Sequence, residues 1–248
     1  MSKTVLITGG AGFIGHHLVE ELLEKTDFNI VSLDRLDTSG NLSRLAEVIE
    51  KNKEWNSRVK IVWHDLKAPL NDMVRKQIGD VHYVLHLAAG SHVDRSIDYP
   101  MEFVMDNVVG TVNVLDYARE FLKDSMELFL YFSTDEVFGP APENVFYEED
   151  DRYRSGNPYA ASKAGAEELC IAYENTYKMP IIVTHTMNVF GLRQHPEKFI
   201  PMIVKRVRDN EKIFVHAKPA QDTISTPLTF LALFCSCLST AHQAKNII

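Results

Sequence analysis

Thr4-Val-Leu-Ile-Thr8 runs directly into Gly9-Gly10-Ala11-Gly12-Phe13-Ile14-Gly15, and these twelve residues decide the fold. The first five are apolar and rich in β-branched side chains, which suits a short buried strand. After the glycines, Phe13, Ile14, Leu18, Leu22 and Leu23 recur at helical spacing. The reading is strand, glycine turn, helix. In such a unit Gly9 and Gly12 let the backbone approach a pyrophosphate, and Gly15 lets the helix lie close to the strand with its first amides facing the anion. Phe13 and Ile14 open the helix beside that anion and join the candidate cofactor residues.

Nineteen residues past Gly15, at the end of a second β-rich run over 29–33, stands Asp34. A carboxylate there accepts hydrogen bonds from the adenosine ribose hydroxyls and repels a 2′-phosphate, so NAD is favoured over NADP. Arg35 next door is of the type that could accommodate that phosphate. The alternation then continues. Helical patterns cover 42–53, 70–78, 101–122 and 199–208, and strand patterns cover 59–63, 81–87, 128–132 and 181–184. A further helix starts at the Asn157-Pro158 signal. Alternation with short connections predicts an α/β fold, a doubly wound parallel sheet, with ligands at the carboxyl ends of its strands. The loops at Gly9, Asp34, Ala88, Thr134 and Asn188 all fall there. Asp65, just past the third strand, is placed either to meet an adenine or to act as an ordinary cap.

Composition narrows the class. The chain has 248 residues, 45% hydrophobic and 24% charged, enough for a sizeable core. A net charge of -8 argues against a general role on nucleic acid. Cys170, Cys235 and Cys237 offer neither a disulfide framework nor metal-ligand spacing, so no metal is expected and a reducing compartment is. Residues 228–238 form an apolar run too short to span a bilayer, and the first strand follows with no basic leader. The expectation is a soluble, cytoplasmic protein without a membrane partner.

The chemistry concentrates between Ser133 and Lys163. Tyr159 and Lys163 are four residues apart, so they share a helix face. An ammonium beside a phenol favours the phenolate, giving a general base for a sugar or alcohol hydroxyl. Thr134-Asp135-Glu136 precedes them. Two adjacent carboxyls can divide into an acid and a base when like charge and partial burial keep one protonated. His92, His185 and His195 have no partner at catalytic spacing and read as structural.

With these residues in place, the chain resembles the extended short-chain dehydrogenase/reductases, and within them the nucleotide-sugar 4,6-dehydratases, most closely the dTDP-glucose branch. The resemblance rests on Thr8–Gly15, Asp34-Arg-Leu, His64-Asp-Leu66, the 87–96 segment, Ser133–Gly139, Tyr159-x-x-x-Lys163, Asn188-Val-Phe-Gly191 and the 193–201 segment. It covers roughly residues 3 to 216. It implies a Rossmann-type NAD-binding domain over 1–186 and a partial substrate-binding region over 187–248. It implies dehydration of a nucleotide-diphosphate hexose, dTDP-glucose first among them, to the 4-keto-6-deoxy sugar. In that scheme Tyr159 takes the O4 proton, Thr134 hydrogen-bonds O4, and Lys163 tunes Tyr159 and holds the cofactor. Glu136 removes the C5 proton, and Asp135 protonates the leaving C6 hydroxyl. Leu66 and Ala88 join the cofactor site; Ser91, Arg95, Asn188, Arg193 and Lys198 are candidates for the sugar nucleotide. A homodimer is implied as well. Beyond residue 216 the sequence departs from the family pattern, so a truncated or altered substrate domain is expected. A 4-epimerase or other dehydratase of the same superfamily, and an NAD-binding module without turnover, are the alternatives.

Overall fold

The computed structural model describes residues 2–37, 39–141, 147–148 and 151–213, with the backbone of 224–225. Strands β1 (Thr4–Thr8), β2 (Asn29–Asp34), β3 (Val59–Trp63), β4 (Tyr83–His86), β5 (Leu128–Thr134) and β6 (Ile181–Thr186) form one sheet. Its order is β3-β2-β1-β4-β5-β6, and every pairing is parallel. Parallel strands need crossovers, and helices supply them on both faces. They are α1 (Phe13–Lys25), α2 (Leu42–Glu50), α3 (Asp72–Ile78), α4 (Val93–Asp98), α5 (Pro100–Phe103), α6 (Gly110–Phe121) and α7 (Pro158–Tyr177). The sheet is thus the doubly wound one its alternation predicts. Strand order reverses between β1 and β4, where a crevice opens at the carboxyl ends of the strands.

Cover on both faces explains why the central strands read as unbroken apolar runs; all seven residues of β5 are buried. One core, around Leu6, Val84, Phe129 and Tyr131, packs under α3, α6 and α7. The other, around Val5, Ile7, Leu85 and Leu130, packs under α1 and α2. A two-residue pair, β7 (Asn188–Val189) with β8 (Ile224–Ser225), and the helix α8 (Phe199–Arg208) lie beyond β6. Residues 226–248, including the 228–238 apolar run, lie outside the described residues. Among those described, no helix is long and apolar enough to cross a membrane.

Several element boundaries differ from their periodicity, each for a local reason. The Asn71 side chain accepts from the amides of Met73 and Val74, so the third helix starts at Asp72 rather than Leu70. The helix at 42 ends at Glu50, and a 3-10 turn, Lys53–Ser57, follows it. The fourth strand is confined to Tyr83–His86 within the expected 81–87. The fifth strand extends two residues past Phe132, because Ser133 and Thr134 stay in register with His185 and Thr186. The 101–122 pattern is a single helix by sequence, but a π-helical turn, Val104–Val109, interrupts it. Asp106, on that wider turn, lines the crevice, and Asn107 on the same turn is buried.

Candidate active site

Gly9 takes φ +75°, a left-handed conformation, and packs against the backbone of Ala88 just past β4. A Cβ on Gly15 would stand 2.1 Å from the Gly9 carbonyl oxygen, so α1 abuts the turn as closely as a backbone can. This is a cradle of backbone at a helix N-terminus, and a pyrophosphate fits it. Gly9, Gly12, Phe13, Ile14 and Gly15 all line a cleft of about 360 Å³. Asp34 lies at its edge, 8% exposed, accepting from the amides of Ala11 (3.2 Å) and Leu36 (2.9 Å). Burial pushes its carboxyl upward, against the pull of those two amides.

Arg35 is already committed. Its guanidinium grips Asp106 with both nitrogens at 2.6 and 2.9 Å, and its Nε donates to Asp37 at 2.6 Å. A guanidinium so held is poorly placed to receive a 2′-phosphate. Asp65 lines the cleft and caps the Lys67 amide at 3.0 Å. Leu66 also lines it, and its carbonyl accepts from Asn113 at 2.7 Å.

The loop after β4 is fixed by buried groups that periodicity does not reveal. The Ala88 amide donates to the Thr8 hydroxyl (3.2 Å), which lies 2.7 Å from His86 Nδ1. His86 Nε2 lies 2.9 Å from the Thr111 hydroxyl, which donates to the Asn107 carbonyl (2.5 Å). One consistent direction runs through this chain, with His86 neutral and protonated on Nε2. Full burial drives its pKa down to about 3, in keeping with that state. Asn107 then clamps Gly90 through both amide groups, at 2.7 and 3.1 Å, and reaches Ser162 on α7 at 2.8 Å.

Tyr159 and Lys163 both line the cleft from α7. The Asn157 side chain caps that helix through the Ala160 amide (2.8 Å) and also donates to Glu136 Oε2 (3.0 Å). Their electrostatics differ from the expectation of a lysine-lowered phenol. Burial raises the Tyr159 pKa, Glu136 and Asp135 raise it further, and only the Thr134 hydroxyl opposes them. Lys163 is itself buried, donates to the Phe132 carbonyl and sits 4.2 Å from the centre of the Tyr131 ring. Burial pushes its pKa down to about 7. In this arrangement the phenol keeps its proton.

Thr134, Asp135 and Glu136 stand beside the cleft lining rather than in it; Phe132, Ser133 and Thr186 line it on that side. The pair occupies a 3-10 turn, Asp135–Phe138, where the Thr134 hydroxyl donates to Asp135 at 3.3 Å. Both carboxylates are half-buried. Of the candidates for the sugar nucleotide, Ser91, Arg95 and Lys198 line the cleft. Lys198 Nζ donates to the Ser91 carbonyl at 2.8 Å, and Arg95 pairs with Glu102 at 2.7 Å. Asn188 and Arg193 lie outside the lining. Arg193 pairs with Glu47 on α2, while its carbonyl accepts from Arg44 at 3.2 Å. His185 meets Glu167 at 2.8 Å, His92 caps α4, and His195 lies 3.5 Å from Glu197. Among the described residues no cluster could hold a metal ion.

Comparison with known proteins agrees with this geometry. The family model described as GDP-mannose 4,6 dehydratase matches residues 6–218. The low-salt glycan biosynthesis protein Agl12 of Haloferax volcanii is 40% identical over 212 residues, covering 86% of this chain and 65% of its own. DesIV of Streptomyces venezuelae, a dTDP-glucose 4,6-dehydratase solved with NAD bound, superposes with a TM-score of 0.80 at 31% identity. That match covers 96% of this chain and 70% of DesIV. A UDP-glucuronic acid 4-epimerase from Bacillus cereus, solved with UDP-glucuronic acid and NAD, gives 0.78 at 26% identity, covering 90% and 69%. The chain spans less than two thirds of the length of the curated relatives it matches.

Proposed function

Because the chain belongs to the GDP-mannose 4,6 dehydratase family, we propose that it removes water from a nucleotide-diphosphate hexose, dTDP-glucose first, with NAD as its cofactor. The product is the 4-keto-6-deoxy sugar. Residues 1–186 carry the cofactor and 187–248 contribute to the sugar nucleotide. The observation that carries this reading is the acidic turn after β5. Asp135 and Glu136 are both close enough to Tyr159 to raise its pKa, and Glu136 is oriented by Asn157. Interconverting epimers at C4 needs one hydroxyl proton moved, whereas losing water across C5 and C6 needs a further base and a further acid. In this reading the turn supplies both.

The glycine cradle and Asp34 fit NAD, which when bound accepts a hydride at C4, returns it at C6 and brings a positive charge to the site. Tyr159 accepts the O4 proton once positive charge offsets the burial and the carboxylates that together hold its phenol protonated. Thr134 orders O4 through its hydroxyl. Glu136 takes the C5 proton, acidified by the new C4 ketone, and gives it back to C5 as hydride reaches C6, and Asp135 gives its proton to the C6 hydroxyl, which departs as water. A homodimer in the cytoplasm goes with this reading; sedimentation and cell fractionation test those two points.

Mass spectrometry of dTDP-, UDP-, GDP- and CDP-hexoses incubated with protein and NAD decides the reaction. Loss of one water is expected, together with its disappearance in the Asp135→Asn, Glu136→Gln double variant, which should still reduce NAD transiently. Normal turnover by that variant would sink the assignment. A second reading, a 4-epimerase, is favoured by the likeness to the Bacillus cereus epimerase; epimer exchange without water loss is its signature.

A further inference from the structure

Glu167 stands on α7 one turn beyond Lys163, and it is 1% exposed. Its Oε1 accepts from the Tyr153 hydroxyl and from His185 Nε2 at 2.8 Å. Both donors present their rings to Phe138. The Tyr153 ring meets it edge-on at 5.6 Å between centroids, and the His185 ring lies 4.8 Å away. Phe138 closes the turn that carries Asp135 and Glu136, and it is buried. The backbone of that turn is tied to the same neighbourhood, since the Arg154 amide donates to the Val137 carbonyl at 2.9 Å. Gly139, at φ +76°, brings the turn so near that a Cβ would lie 2.4 Å from the Arg154 carbonyl. None of Glu167, Tyr153 and His185 is among the residues lining the cleft.

A carboxylate is a costly group to bury if its task is to fill space. Burial pushes the Glu167 pKa up, yet hydrogen bonding from His185 and Tyr153 holds it below its ordinary value. The charge is therefore retained, and charge-assisted bonds fix the two rings more firmly than neutral ones would. We infer that Glu167 is a positioning residue for the acidic turn: its carboxylate orients Tyr153 and His185, whose rings wall in Phe138 and so set where Asp135 and Glu136 stand against Tyr159. The clamp stands apart from the dehydratase reading; its consequence for turnover rests on that reading.

Two measurements on the full chain test it, with Glu167→Gln and Tyr153→Phe. Hydrogen exchange read by mass spectrometry should show amides of the 135–139 segment exchanging at least tenfold faster in both variants, with β1 and β2 unchanged. Unchanged exchange in the 135–139 segment overturns the clamp. If Glu167→Gln loses protection in β1 and β2 as well, it has misfolded, and Tyr153→Phe carries the test. In kinetics, kcat for water loss should fall at least tenfold with KM within twofold, while transient NAD reduction keeps its rate. Faster exchange with an undiminished kcat overturns the positioning role. A wild-type chain that dehydrates none of the four sugar nucleotides refutes the dehydratase reading by itself, and the exchange result still decides the clamp.

Discussion

Replacing Gly15 with alanine sets helix propensity against packing, and the structure says which prevails. Alanine is the better helix former by about 1 kcal/mol, so local propensity alone predicts a more stable protein. Yet the new Cβ would meet the Gly9 carbonyl oxygen at 2.1 Å and the Gly10 Cα at 2.7 Å. Those neighbours are backbone, not the ends of flexible side chains, so no rotamer change relieves them. Helix α1 must retreat from the glycine turn by roughly 1 Å or more to reach ordinary contact distance. Overpacking of this kind costs about 1–3 kcal/mol. Set against the propensity gain, this leaves a net loss of up to about 2 kcal/mol, which for a chain of this size lowers Tm by up to roughly 8 °C. NAD affinity should fall further than stability, because the retreat draws the first amides of α1 away from the pyrophosphate cradle. Urea unfolding and calorimetric titration with NAD measure the two effects. A variant as stable as wild type, with unchanged NAD affinity, would refute the close-approach reasoning.

Three other outcomes are expected. Asp106→Ala frees Arg35 from its bidentate partner and should raise the NADP-to-NAD affinity ratio about tenfold, roughly 1.4 kcal/mol, by calorimetry; an unchanged ratio means Asp34 alone sets the preference. Lys163→Met should raise stability by a few kcal/mol near neutral pH while abolishing turnover. The folded pKa of Lys163, about 7, lies below its ordinary 10.5, so the unfolded chain binds the extra proton in that window. The penalty is full below pH 7 and fades towards 10.5, and the gap between variant and wild type in urea midpoints should narrow accordingly. His86, depressed to about 3, works in the acid range. Its contribution is complete above pH 6.5 and is lost as pH falls towards 3, by about 1.4 kcal/mol per pH unit. A His86→Gln variant should show a flatter decline of urea midpoint between pH 6.5 and 4; an equally steep one removes His86 from the account.

The sheet, the glycine turn, Asp34 and the Tyr159–Lys163 helix are legible in the sequence. Each is written in local terms: an apolar run of strand length, glycines before a helical period, a cap at Asn157, a four-residue spacing. The sequence also put Thr134, Asp135 and Glu136 just after the apolar run of β5, although the strand continues two residues past that run. What surrounds those residues is set by contacts between positions far apart in the chain, and no periodicity encodes them. The Arg35–Asp106 clamp joins residues 71 positions apart, and Asp106 stands on a π-helical turn that reads as ordinary helix. The pairing of Arg193 with Glu47 joins residues 146 apart and leaves Arg193 outside the cleft lining. Tyr159 shows the same division in its chemistry. Its spacing from Lys163 is local and was legible, but its proton affinity follows from burial and from two carboxylates on another element. Desolvation and charge act through space, so only the folded arrangement decides which of them prevails.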